Sequence, residues 1–204
     1  MFDLFRQSYA LLLAQRMYTR RFLRFGAHPK GVLWKDAESQ NVRYEILMEY
    51  VKNRSMNDFG CGYGGLYEYA LSREYTGTYV GYDMNASMIA FAKKRFPNGV
   101  FYHANRIHLP AEVTVISGTL NLKMNASDDV WWRWIQKTLT SCWAFSTEGM
   151  IFNLLVKTAD SNPNSRLFYC SEEQVVTFCR KYLSRNLFLI RSSSLADIHI
   201  YIRR

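Results

Sequence analysis

The chain has 204 residues, of which 49% are apolar and 21% charged, and its 26 Lys and Arg against 17 Asp and Glu leave a net charge of +9. That length suits one domain with a sizeable core, and the composition is that of a globular protein rather than a disordered or fibrous one. No apolar run approaches the length of a membrane-spanning helix, no secretory leader is recognisable, and Cys61, Cys142, Cys170 and Cys179 have neither zinc nor disulfide spacing, so a reduced, cytoplasmic setting is the expectation.

Residues 2–25 follow a helical pattern of leucines and aromatics around Arg6, Arg16, Arg20, Arg21 and Arg24, stopped by Gly26 and followed by a loop with Pro29 and Gly31. A second helix is predicted from Glu38 to Lys52, with Val42, Ile46, Leu47 and Tyr50 as its apolar face. Ser55-Met56-Asn57 ends a short buried strand. The chain then reads Asp58-Phe59-Gly60-Cys61-Gly62-Tyr63-Gly64-Gly65 before a helix through Leu71. Thr78 to Asp83 is a strand, Asn85 caps the next helix, and Val100 to Asn105 is a third strand. Glu112 to Ser117 is the fourth strand. Ser127 caps a helix with Asp128 and Asp129 in its first turn, at the positive end of the dipole. Glu148 to Val156 is the fifth strand, Glu172 to Tyr182 a helix, and Asn186–Arg191 and Asp197–Ile202 a closing pair of strands.

Strand, glycine loop and helix N-terminus together form a nucleotide-type site, because glycine admits positive φ and lets a ligand lie on the main chain. Gly60, Gly62 and Gly65 also satisfy the dinucleotide pattern, but a pyrophosphate beside Asp58 meets a like charge, whereas an ammonium group is attracted. Asp83 lies 23 residues after Gly60 at a strand tip, where a carboxylate accepts from ribose hydroxyls.

In its order of motifs the segment from Asp58 to Arg106 resembles the cofactor-binding half of class I S-adenosylmethionine (SAM) methyltransferases. The resemblance rests on Asp58 with Gly60, Gly62 and Gly64, on Asp83, and on Asn105, where the family more often has Asp. It implies an α/β, Rossmann-like fold: a mostly parallel seven-stranded sheet with an antiparallel last strand, flanked by helices. Residues 1–54 would add helices capping the active site, and residues 55–204 would form the core. It also implies SAM as cofactor. Gly60, Cys61, Gly62 and Gly64 would bear it on the backbone, Asp58 would face its ammonium group and Asp83 its ribose. Met84 would pack on the adenine, Asn105 and Arg106 would border the adenine edge, and Ser117 would stand at the end of strand four.

Several readings stay open at this point. Arg43 either reaches the cofactor's carboxylate or lies solvated on a polar helix face. Trp34 either covers the active site or anchors the core, and Trp131 and Trp134 are either core residues or a lid. Asn121 and Thr119 are candidate substrate contacts, and His103 and His108 candidate bases. No N-P-P-Y motif is present, which argues against methylation of adenine or glutamine amides. The expected reaction is transfer of a methyl group to oxygen or nitrogen of a small molecule, possible anionic acceptors included. The basic charge keeps RNA as a less favoured partner and peripheral membrane contact open for the first helix. A non-catalytic SAM-binding protein is the alternative from another class.

Overall fold

The computed structural model describes residues 2–159, 161–162 and 165–204. Seven strands form one sheet: β1 (Met56–Phe59), β2 (Tyr79–Asp83), β3 (Val100–His103), β4 (Ala111–Ile116), β5 (Ser146–Leu155), β6 (Leu187–Arg191) and β7 (Asp197–Arg203). Their order is β3-β2-β1-β4-β5-β7-β6. β7 runs antiparallel to both of its neighbours, and the other six strands are parallel to one another. The expected sheet is therefore the observed one. Strand order reverses between β1 and β4, and such a switch point opens a crevice at the carboxyl ends of the strands.

Among the described residues six α-helices and a short 3-10 helix (Pro29–Val32) complete the fold: α1 (Phe2–Phe25), α2 (Ala37–Val51), α3 (Gly65–Ser72), α4 (Ala86–Arg95), α5 (Asp128–Ala144) and α6 (Glu172–Tyr182). Their starts are legible in the sequence because side chains cap them. Asp36 accepts from the Ser39 N–H, Asn85 from those of Ser87 and Met88, Ser127 from that of Val130, and Ser171 from that of Gln174. β1 is buried along its whole length, as a central parallel strand must be. Two apolar layers flank the sheet. One packs α5 and α6 through Trp131, Ile135, Leu139, Phe168 and Phe178. The other packs α2, α3 and α4 through Leu47, Val51, Leu66, Ala70 and Ile89.

One buried ion pair crosses between α2 and β7. The Arg43 guanidinium donates to both carboxylate oxygens of Asp197 at 2.8 and 2.6 Å and to the Ser39 carbonyl at 2.7 Å. Asn153 of β5 donates its amide to the same carboxylate. This arrangement corrects both sequence readings of Arg43: the side chain is buried and all three of its nitrogens donate within the fold. Its partner lies 154 residues away, so no local pattern could have revealed the pairing. Close by, His199 is fully buried and burial pushes it down to about 4, leaving the imidazole neutral at physiological pH.

Asp197→Ala strands the Arg43 charge without a partner. The expected cost is about 3–5 kcal/mol, read from urea unfolding. A loss below about 1 kcal/mol would mean that the pair does not hold α2 to the sheet.

Candidate active site

At the switch point the glycine loop folds around a set of backbone bonds. The N–H groups of Gly60 and Cys61 both donate to the Tyr82 carbonyl, at 2.7 and 3.1 Å. Gly60, Gly62 and Gly64 all have positive φ, of 85°, 56° and 85°, so the loop's path requires the residue type that the sequence supplies. The three glycines do different work. A Cβ on Gly60 would lie 2.0 Å from Thr119 Oγ1, because the loop packs against the turn after β4. A Cβ on Gly62 would point towards Val32 and Met88, both of which line the cavity described below. A Cβ on Gly64 would meet Phe96 and Phe101 of the core.

Asp83 joins this loop to the next one. Its carboxylate accepts from the Gly62 N–H at 2.8 Å and from the Asn85 N–H at 2.7 Å. Burial raises its pKa and these two backbone bonds oppose the rise. A carboxylate offers about four lone-pair sites, so hydroxyl donors can still be accepted. Asp58 is less well satisfied. It is 2% exposed, and the one hydrogen bond to its carboxylate comes from Tyr79 Oη, at 2.8 Å. Burial pushes its pKa up to about 7, with the Tyr79 bond opposing and the Asp83 charge adding to the shift.

Both carboxylates line a cavity of about 280 Å³. Of the expected site residues, it brings together Asp58, Gly60, Cys61, Gly62, Asp83, Met84, Asn105 and Ser117. Trp34, Thr119, Trp131 and Trp134 also line it. The Trp34 ring carries the Arg43 guanidinium 4.5 Å from its centroid and packs on Gly118, where a Cβ would meet it at 2.6 Å. Trp131 and Trp134 have centroids 4.3 Å apart, and Trp131 donates its indole N–H to the Leu120 carbonyl. Trp131 is thus core and cavity wall at once. The Gly118 N–H is held by Asn153 Oδ1 at 2.7 Å, which fixes the turn after β4.

Six expected site residues lie outside the cavity lining. Gly64 faces the core, and Arg43 stands behind Trp34. Arg106 is exposed. His103 is also exposed, with Nε2 3.1 Å from the Met84 carbonyl, so it braces the loop from outside. Asn121 is buried, and its Oδ1 accepts from the Leu155 N–H, a structural role. His108 packs edge-on to Tyr82 and Tyr102 and is likewise absent from the lining.

Sequence reading expected N-terminal helices to cap the site but named none of the α1 residues that line it. Gln7, Leu11, Ala14, Gln15 and Tyr18 line the cavity. Gln15 donates to the Met84 carbonyl at 2.8 Å, and Asn85 Nδ2 donates to Thr19 Oγ1 at 2.8 Å. The signal was a stripe at helical spacing whose polar members are uncharged, in a helix otherwise rich in arginine.

These features fit SAM. A buried carboxylate with a raised pKa is best matched by a cationic ligand, a second carboxylate suits a diol, and the buried Ser117 hydroxyl, with no partner of its own, borders the cavity. Among the described residues no group of three His, Cys, Asp or Glu is placed to hold a metal ion.

Comparison with known proteins agrees. Residues 57–126 match a family model described as a methyltransferase domain. Rv1506c of Mycobacterium tuberculosis, which bears a methyltransferase name, is 32% identical over 154 residues, covering 74% of this chain and 93% of its own. Magnesium protoporphyrin IX methyltransferase of Synechocystis PCC 6803, solved with bound SAH, superposes with a TM-score of 0.60 at 12% identity, over 82% of each chain. The pyocyanin biosynthetic protein PhzM gives 0.62 at 12% identity, over 92% of this chain and 61% of that one. A SAM-dependent methyltransferase of Leishmania major gives 0.65 at 16%, over 94% and 83%. With its switch-point carboxylates, its glycine loop and a relative of nearly equal extent, the chain belongs to the class I SAM-dependent methyltransferases.

Proposed function

We propose that this methyltransferase acts on oxygen or nitrogen of an apolar small molecule whose acceptor atom arrives with a free lone pair. The observation that carries this reading is the character of the cavity wall beyond the cofactor residues. Leu11, Ala14, Leu122, Trp131 and Trp134 supply apolar and aromatic surface, with Gln7 and Thr138 as uncharged polar groups. No histidine or lysine lines the cavity among the described residues. A base is needed only for a protonated nucleophile, so a carboxylate or a neutral amine suits this wall. Two of the structural neighbours, named for magnesium protoporphyrin IX and for pyocyanin biosynthesis, support an acceptor of planar aromatic kind. The lining by α1 favours a small molecule over a nucleic-acid strand.

SAM supplies, when bound, a methyl group activated by its sulfonium centre. The chain's own contribution is placement. Asp58 would hold the ammonium end, and Asp83 and the loop around Gly62 would hold the ribose. Asn105 and Met84 border the adenine. The rings of Trp34, Trp131 and Trp134 hold the acceptor in the orientation that in-line transfer requires and keep water from it. Candidate acceptors are tested by incubating the protein with labelled SAM and an extract fractionated by polarity. Label is expected in an apolar fraction carrying carboxylates or amines, and label confined to RNA would reject the reading.

Two further outcomes follow from the carboxylates. Asp83→Asn keeps one acceptor and removes the charge, so SAM affinity by calorimetry is expected to fall about tenfold or more, since a hydrogen bond to a charged group contributes about 1.5–3 kcal/mol. Unchanged affinity would remove Asp83 from the ribose.

The second outcome concerns pH. With Asp58 raised to about 7, the carboxyl is largely neutral below that pH and ionised above it, and only the ionised form pairs with an ammonium group. SAM affinity is therefore expected to rise between about pH 5.5 and 8, and Asp58→Asn to flatten that rise. The cofactor-free protein has the opposite trend in stability. Its native state holds a proton that the unfolded chain releases, so this group's contribution declines as pH climbs from the ordinary carboxylate range through about 7. A wild-type affinity that is flat with pH would detach Asp58 from the ammonium.

A further inference from the structure

The inner face of α1 belongs to the cavity, but its outer face has no role in the site. At 100° per residue, Phe5, Tyr9, Leu12, Arg16, Arg20 and Leu23 fall on the side opposite Leu11, Ala14, Gln15 and Tyr18. This outer side carries large apolar groups in the open: Phe5 is 72% exposed and Leu23 75%, and Tyr9 and Leu12 are also exposed. The Phe5 and Tyr9 rings stack on each other, at 6.5 Å between centroids. Arg6, Arg16, Arg20 and Arg24 are exposed among and beside them. Among the described residues none of the four is ion-paired. From Leu4 to Lys35 the chain has seven Arg and Lys residues and no Asp or Glu. Among the described residues no helix is long and apolar enough to cross a bilayer.

We propose that the outer face of α1 seats the protein on an anionic membrane surface, with its apolar side chains at the acyl boundary and its arginines at the lipid headgroups. Exposed aliphatic and aromatic groups interleaved with arginine are what an interfacial helix requires. The helix is about 36 Å long, enough to lie along the surface. Charge selects the occupant: a stretch without a single carboxylate complements acidic lipid, and each arginine near such a surface strengthens binding by roughly fivefold. A nucleic-acid strand would use the arginines but would leave Leu12 and Leu23 in water. This seating puts the cavity one helix diameter, about 10 Å, from the headgroups. It suits an acceptor dissolved in the bilayer, a consequence that rests on the small-molecule reading above.

The test is co-sedimentation of the intact protein with phosphatidylcholine vesicles with and without phosphatidylglycerol, which reads binding without any turnover. Binding is expected only with phosphatidylglycerol and is expected to fall about tenfold between low and high salt. Arg16→Glu with Arg20→Glu should weaken partitioning about 30-fold or more, on the scale of fivefold per arginine. Phe5→Ser with Leu23→Ser should weaken it comparably through lost apolar burial, and both double variants should keep their helical circular dichroism and their SAM affinity. Wild-type protein that stays in the supernatant overturns the proposal, as does vesicle binding unaffected by both double variants. Retention on a single-stranded RNA in place of vesicles would overturn it in favour of nucleic acid. A lipid-free dimer that the apolar double variant dissociates would overturn it in favour of a second copy of this chain.

Discussion

The Asp83 carboxylate is the joint on which the cavity depends. It accepts the Gly62 N–H from the glycine loop and the Asn85 N–H from the turn after β2, so two loops that belong to different strands share one anion. Asn85 carries the linkage further. Its side-chain oxygen caps α4 and its amide reaches Thr19 of α1. Floor, wall and cover of the cavity are thereby coupled through one short polar chain. A charge-assisted bond to a backbone N–H is stronger than a neutral one, and a buried loop whose N–H groups went unsatisfied would cost free energy at each. The Asp83 carboxylate therefore keeps the glycine loop on its glycine-dependent path through two backbone N–H bonds.

Asp58 follows a contrary logic. Its burial is opposed by a single phenolic hydrogen bond, and its raised pKa is the signature of a charge that has not been compensated within the protein. In a chain with an excess of nine positive charges, it would have been simple to place an arginine beside it. The buried Arg43 is instead paired with Asp197 and stacked behind Trp34. Arg43 thereby supports the wall from behind Trp34, and no salt bridge reaches Asp58 among the described residues.

The sheet and the cofactor side of the cavity were legible because they are local. Positive φ favours glycine at Gly60 and Gly62, caps favour Asn85 and Ser127, and Asp83 stands at a strand tip at a motif spacing from the loop, all within short windows of sequence. What was not legible depends on distant partners. Arg43 has a polar-face position on α2 and could be read only as solvated or ligand-seeking until β7 supplied Asp197. Asn121 and His103 carry chemistry-bearing side chains beside motif positions, yet one is spent on the Leu155 backbone and the other on the outside of the Met84 loop. Gly64 fits the motif but serves packing against Phe96 and Phe101. The α1 stripe was hidden for another reason: in sequence the cavity-facing side of a helix reads the same as an ordinary core face, and apolar groups on the outer face add a second apolar side.

That two-faced helix also settles how a strongly basic chain can hold a cationic cofactor. If the arginines of α1 faced the cavity, they would repel the sulfonium and ammonium groups inside a region of low dielectric, where unit charges at short range interact strongly. They face outward instead, and the inward side is built from Gln7, Leu11, Ala14, Gln15 and Tyr18, none of them cationic. Across a helix diameter of about 10 Å in water, two unit charges interact by only ~0.4 kcal/mol before screening, and salt at physiological strength reduces this further. The basic surface is thus electrically remote from the binding site although the same helix forms both. The separation lets the outer face change its charge to suit a partner without altering cofactor affinity, and it lets the inner face adapt to an acceptor without disturbing the surface.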